Sequence, residues 1–263
     1  MSGPTYSITA IAPTVSASLG LPRPRDCVEG PIPAIAEDLA GVRQVAVLAP
    51  DALGLSVWQT WRRQMPFLSS VLGSRSVTLR SVLPPITPVN FASLVTGATP
   101  DIHRVRDKSD TIACESLFDV VRAAGGRSAG AGQPRYTGGE FLARHADLSG
   151  RPEESGDDAV TARVIALAQE HRPRFIIAQL GETDTVFHEV GPSSPKAEAV
   201  IRATDGRLRR LVEGLTGLDY GVIILADHGQ HDLPEATPGG LRGHHDGSKP
   251  EEDCLVPCTW CRQ

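Results

Sequence analysis

GVIILADHGQ, residues 221–230, decides the reading of this chain. Its apolar run, 221–226, has the length of a strand buried on both faces and ends abruptly at Asp227 and His228. The same pattern occurs twice more: QVAVLAP (44–50) runs into Asp51, and FIIAQL (175–180) is followed closely by Asp184 and His188. Helical patterns lie between these runs. ESLFDVVRAAG (115–125) stops at Gly125 and Gly126, DDAVTARVIALAQEH (157–171) opens on Asp157 as a predicted N-cap, and SPKAEAVIRATDGRLRRLVEGL (194–215) carries Val200, Ala203, Leu208, Leu211 and Val212 near helical spacing. This βαβα succession predicts an α/β fold, a three-layer sandwich around a central, mostly parallel sheet. In such a sheet ligands bind beyond the carboxyl ends of the strands, where these Asp and His residues fall.

The whole-chain figures agree. With 263 residues, 40% hydrophobic and 22% charged, the chain is long enough for a full core, and disorder and a disulfide-dense scaffold are excluded. A net charge of −5 speaks against a protein that coats nucleic acid or an anionic membrane. No apolar stretch has the length of a membrane span, and the N-terminal segment, with no Lys or Arg ahead of its apolar middle and Pro13 inside it, does not read as a secretory signal. A cytoplasmic protein is expected. The five cysteines are Cys27, Cys114, Cys254, Cys258 and Cys261. Their odd number suits a reducing compartment, and the last three read as part of a buried strand, not as a metal site.

Asp184 and His188, four apart, share one face of a helical turn and can grip one cation. Asp227 and His228, adjacent at a strand exit, can serve neighbouring ions, Asp51 adds a carboxylate, and His244 or His245 completes the set. Mixed carboxylate and imidazole ligands predict Zn²⁺ first, with Mn²⁺ or Fe²⁺ as alternatives. The segment PPITPVNFASLVTG (84–97) offers a nucleophile. Pro88 suits the first helical position, so Thr87 reads as the N-cap of a short helix, its hydroxyl near the positive helix end where a phosphate would sit.

The segments VLAPDALG, TPVNFASLVTGATPDIHRV, ETDTVFHEVGP, ADHGQ and HHDGSKPEEDCLVP, in this order through residues 44–258, resemble the alkaline phosphatase superfamily, in particular its nucleotide pyrophosphatase/phosphodiesterase-like and phosphonoacetate hydrolase-like branches. The resemblance implies two divalent metal ions. Asp184, His188 and His245 would hold one, and Asp51, Asp227 and His228 the other, with Thr87 bridging towards it as nucleophile. His245 is preferred to His244 because the H-x-G-x-x-P-E-E pattern starts there. Asn90 matches an asparagine that donates to a phosphoryl oxygen, which leans the expectation towards phosphodiesters through a phospho-threonine intermediate. Phosphomonoester and phosphonate hydrolysis are the alternatives, and a non-catalytic protein that binds a phosphoryl ligand is the alternative of another class. Arg104, Arg106 and Lys108 could supply a monoesterase's extra charge but read better as loop residues; Glu182 reads as a surface carboxylate. His103-Arg104 departs from the His-Gly usual in the family. The expected partner is a small phosphorylated substrate such as a nucleotide, with neither nucleic acid nor membrane, and a homodimer is the assembly considered. The domain expectation is one catalytic domain over residues 1–263. Family members usually continue after the last V-P strand into a segment of the form APT…LLG…P…G, and residues 11–39 look like that segment, so a circular permutation is expected.

Overall fold

The computed structural model describes residues 4–263. Eight strands form one sheet: β1 (Thr5–Ser7), β2 (Gln44–Pro50), β3 (Val77–Arg80), β4 (Ser128–Ala131), β5 (Leu148–Gly150), β6 (Phe175–Leu180), β7 (Tyr220–Leu225) and, last in the chain, Leu255–Cys261. A two-residue ribbon, β8 (His231–Asp232) with β9 (Gly243–His244), precedes that final strand, which is therefore β10. The spatial order is β1-β3-β10-β7-β2-β6-β4-β5. Every pairing is parallel except those of β10, which runs antiparallel to both β3 and β7.

The three runs singled out in the sequence are the centre of this sheet. β2 lies between β6 and β7, and all three are buried almost throughout. Val, Ile, Leu and Ala on both faces exclude water from the ladder, and helices cover each face because a sheet apolar on two sides must be covered twice. The chain leaves β2 for β3, beyond β7 and β10, and β6 connects across β2 to β7. The carboxyl ends of these three parallel strands lie side by side, the edge of such a sheet where ligands bind.

The helix Thr87–Thr96 follows β3. It is buried from Val89 to Thr96, and Gly97 ends it in the left-handed conformation, φ 70°, with its N–H bonded to the Ser93 carbonyl. A side chain at Gly97 would lie 2.4 Å from Cys27 Sγ, so glycine also permits the close approach of the N-terminal segment. That segment packs along this helix: Val28 N–H donates to Gly97 O at 2.9 Å, and Ile32 N–H donates to Thr14 Oγ1 at 2.8 Å, tying the helices Ile11–Ser18 and Pro33–Asp38 together.

Several boundaries differ from the sequence reading, three of them at residues it singled out. Thr87 is the first helical residue, with Ile86 at the cap. Asp157 is likewise the first residue of its helix, because Gly156 with φ 116° takes the cap. Cys254 closes a short helix and the strand starts at Leu255. No helix among the described residues is long and apolar enough to cross a membrane.

Candidate metal centre

Asp51 follows β2 directly, and the next residue, Ala52, is held at φ 58°. This left-handed turn lets the chain leave the sheet while Asp51 stays buried at its edge. Gln179, the one polar side chain in β6, donates to Asp51 Oδ2, and Thr183 Oγ1 donates to the Asp51 carbonyl at 2.5 Å. Asp51 Oδ1 is thereby left facing the crevice. On the other side of β2, Asp227 and His228 leave β7 fully buried, and Ser81 Oγ donates to the Asp227 carbonyl at 2.6 Å. Asp184 and His188 stand one turn apart on the helix Glu182–Val190, 3.4 Å from carboxylate oxygen to Nε2.

These groups converge. His228 Nε2 lies 3.4 Å from Asp51 Oδ1, 3.4 Å from Asp227 Oδ2 and 3.1 Å from Thr87 Oγ1, which itself stands 3.5 Å from Asp51 Oδ1. His245 Nε2 lies 3.1 Å from His188 Nε2 and 3.6 Å from Asp184 Oδ1, and its ring stacks on His228 at 4.1 Å between centroids. Two overlapping groups could each hold an ion: Asp51, Asp227 and His228 in one, Asp184, His228 and His245 in the other, with His188 beside the second.

The donor set fits divalent cations on three grounds. The imidazoles share one tautomer. His188 Nδ1 donates to Gly243 O at 2.9 Å, His228 Nδ1 to Gly229 O at 3.0 Å and His245 Nδ1 to Pro85 O at 2.8 Å, since a carbonyl can only accept. Each Nε2 therefore presents a lone pair to the same small space, the arrangement found behind metal-bound histidines. The separations of 3.1–3.6 Å match the edge of a tetrahedron with bonds of about 2.0 Å, which is about 3.3 Å. Finally, Asp184 Oδ1 and Asp227 Oδ2 are buried without a hydrogen-bond partner, a costly state for a carboxylate unless a cation faces it.

The electrostatics agree. Burial first, then the carboxylates of Asp227 and Asp184, pushes the Asp51 carboxyl well above its ordinary range, and burial also raises Asp227. For Asp184 burial is outweighed by the close His188 imidazole, 3.4 Å away, and by those of His228 and His245, so its carboxyl is lowered. Burial, with repulsion from His228, brings His245 down to about 3 and keeps it neutral. His244 stands apart with its side chain half exposed, 3.7 Å from Asp246.

Asn90 has a different part from the one expected. It is fully buried, its Oδ1 accepts from Val82 N at 2.9 Å, and its Nδ2 faces the carbonyls of Ile86 at 3.2 Å and of Val82 and Pro84 at 3.4 Å. Both ends of the amide are spent on the loop ahead of Thr87, which leaves no donor for a substrate oxygen. Lys108 Nζ donates to the Arg135 carbonyl, and Arg104 and Arg106 are exposed. Glu182 is no free surface carboxylate: it pairs with Arg207 and accepts from Asp157 N at 2.9 Å. The supporting residues the sequence reading passed over are Gln179 and Thr183, while Asp157, read there only as a helix cap, is fully buried and accepts from Gly181 N at 2.9 Å and Gln133 Nε2 at 2.7 Å. Only Gln179 carried a signal, as a lone polar residue in an apolar run.

The sheet has known counterparts. The chain is 24% identical over 232 residues to venom phosphodiesterase 2 of Crotalus adamanteus, an alignment covering 74% of this chain and 28% of the venom protein. Phosphonoacetate hydrolase from Sinorhizobium meliloti superposes with a TM-score of 0.58 at 19% identity, covering 76% of this chain and 59% of the other. Murine ectonucleotide pyrophosphatase/phosphodiesterase 5, in an inactive form complexed with AMP, superposes with a TM-score of 0.58 at 17% identity, covering 75% and 59%. The chain thus spans little more than a quarter of the length of the venom protein. The family model described as type I phosphodiesterase / nucleotide pyrophosphatase matches residues 45–111 and 115–246, and with the fold and the crevice it encloses, the chain belongs to that family, within the alkaline phosphatase superfamily.

Proposed function

We propose that the protein is a dinuclear metal-dependent phosphoric ester hydrolase that acts through a phospho-threonine at Thr87 and prefers diesters. The observation that carries this reading is the position of the Thr87 hydroxyl, 3.1 Å from His228 Nε2 and 3.5 Å from Asp51 Oδ1, at the edge of a donor set suited to two cations. Asp184, His188 and His245 would hold one ion, and Asp51, Asp227 and His228 the other. When bound, such ions supply Lewis-acid charge that favours the alkoxide of a nearby hydroxyl and offsets charge building on phosphoryl oxygens. Zinc is our first choice because imidazole and carboxylate donors at tetrahedral spacing suit it.

The chain's own residues do the rest. Thr87 Oγ1 attacks phosphorus in line, its bond to phosphorus forming as the bond to the leaving oxygen breaks, and the leaving group departs with the proton that Thr87 gives up. Water then attacks the phospho-threonine, the Thr87 oxygen–phosphorus bond breaks, and the hydroxyl is restored. Thr87 stands at the first helical position, so the phosphoryl group meets the positive end of a ten-residue helix. Asn90 holds the loop 82–86 that sets the approach to Thr87, and Gln179 fixes the Asp51 carboxylate.

Charge supports diesters. Among the described residues no Lys or Arg pairs with Asp51, Asp184 or Asp227, and a singly charged diester needs less positive compensation than a monoester dianion. A nucleotide is a natural substrate in view of the relative complexed with AMP. This reading also takes residues 11–39, which fold as the helices Ile11–Ser18 and Pro33–Asp38 after the strand β1, as a counterpart of the family's usual closing strand–helix unit, supported by their packing on the Thr87 helix, and residues 1–263 as one domain. All five cysteines are free, which supports a reducing compartment. The test is hydrolysis of bis-p-nitrophenyl phosphate, p-nitrophenyl phosphate and phosphonoacetate by zinc-loaded protein. A kcat/KM highest for the diester is expected; preference for either of the others overturns the diester assignment.

A further inference from the structure

Outside the centre described above, His231, Asp246 and Asp253 each offer a ligand atom within 4.8 Å of the others. His231 is buried and Asp253 fully so, and His231 Nδ1 donates to Asp253 Oδ1 at 2.6 Å. The second Asp253 oxygen accepts from Gly247 N at 2.9 Å. Both oxygens of Asp253 are therefore engaged, and the carboxylate fixes the tautomer in which His231 Nε2 carries a lone pair. No hydrogen bond uses that Nε2 among the described residues. His231 pairs across the ribbon with His244, their rings edge-on at 6.2 Å, and directly opposed residues on two strands lie close enough to share one ion. His244 Nε2 in turn lies 3.7 Å from Asp246 Oδ2, while Asp246 Oδ1 is held by Ser248 N at 2.8 Å.

We propose that His231, His244 and Asp246 form a third site for a divalent transition-metal ion, with Asp253 orienting His231 from behind. Two imidazoles and one carboxylate make a three-ligand set of the kind zinc takes, completed by water. The site lies at the neck of the ribbon, where residues 233–242, largely exposed, leave and return. His245 follows His244 directly, and the same ribbon seats on the Glu182–Val190 helix through Arg242 N to His188 O at 2.7 Å and His188 Nδ1 to Gly243 O at 2.9 Å. An ion at the neck pins the segment that delivers His245 to the catalytic centre. This role is independent of which ester the enzyme cleaves.

Calorimetric titration of the metal-free full-length chain with Zn²⁺ tests the proposal. The parent is expected to take up three equivalents, and Asp246→Asn, a substitution at an exposed position, two. His231→Gln is a second variant with the same expected loss, and His171→Gln, at a partly exposed histidine elsewhere, keeps all three. Hydrogen exchange over residues 231–249 should slow on the third addition in the parent and not in Asp246→Asn. Equal uptake by the parent and Asp246→Asn overturns the proposal, as does an equal loss in His171→Gln.

Discussion

His103 shows how a single buried residue sets a pH dependence away from the metal centre. Its Nδ1 accepts from Val105 N at 3.1 Å, so Nε2 carries the proton and donates to Ser93 Oγ at 3.1 Å, which passes its own to Ala98 O at 2.9 Å. Burial lowers its pKa from 6.5 to about 4. As pH falls below 6.5 the unfolded chain takes up a proton that the folded chain refuses until about 4, so the stability His103 contributes is complete above 6.5 and is lost progressively down to 4. Urea unfolding at pH 7, 5.5 and 4.5 should therefore show a steeper loss for the parent than for His103→Asn; parallel curves would refute the assignment. Asn90 gives a second prediction at this scale. Asn90→Ala leaves buried backbone groups of the 82–86 loop unpaired and should cost about 1–3 kcal/mol in unfolding free energy. Turnover by the folded variant should stay within about threefold, whereas an asparagine acting on the substrate would show a loss in kcat/KM of about 100-fold or more at unchanged stability.

At the scale of elements, strand ends were legible and helix starts less so. Three apolar runs stopping at Asp or His located β2, β6 and β7, because a strand buried on both faces leaves no alternation to misread and a charged residue must mark its exit. The placing of Thr87 at the first helical position, and the inward turn of Asn90, depend on how residues 81–86 cross the sheet edge, a tertiary matter that a threonine-proline pair does not encode. For His245 the sequence offered a motif, which preferred it to His244, but not the ribbon that stacks its ring on His228. That ribbon depends on Gly243: a side chain there would lie 2.3 Å from Phe187 O and 2.8 Å from Gln230 Nε2. Gly243→Ala should push β9 off the helix, break the His188 to Gly243 bond and weaken binding of one metal equivalent by about 10–100-fold, measured by titration. Unchanged affinity would show that the ribbon does not position His188 and His245.

Over the whole molecule, the sequence conveyed the sheet class and the residues lining its crevice, but not the order of the strands. β10 enters antiparallel between β3 and β7, although its own residues read only as a buried strand, because direction is a property of the chain path. The consequence is functional: the final strand separates β3, which leads to Thr87, from β7, which leads to Asp227 and His228, and the loop after β3 must reach back across it to bring the hydroxyl within 3.1 Å of His228. Two carboxylates that burial holds at raised pKa and three imidazoles aimed inward make sense at that point only together with cations and a nucleophile. The central claim is therefore the role of Thr87, and the most direct measurement compares hydrolysis of bis-p-nitrophenyl phosphate by zinc-loaded parent and Thr87→Ala, with bound metal quantified in both. The account predicts that Thr87→Ala keeps the metal content of the parent and loses at least about 10³-fold in kcat. Undiminished turnover by Thr87→Ala, or no turnover of any phosphate ester by a parent with its metals bound, would contradict it.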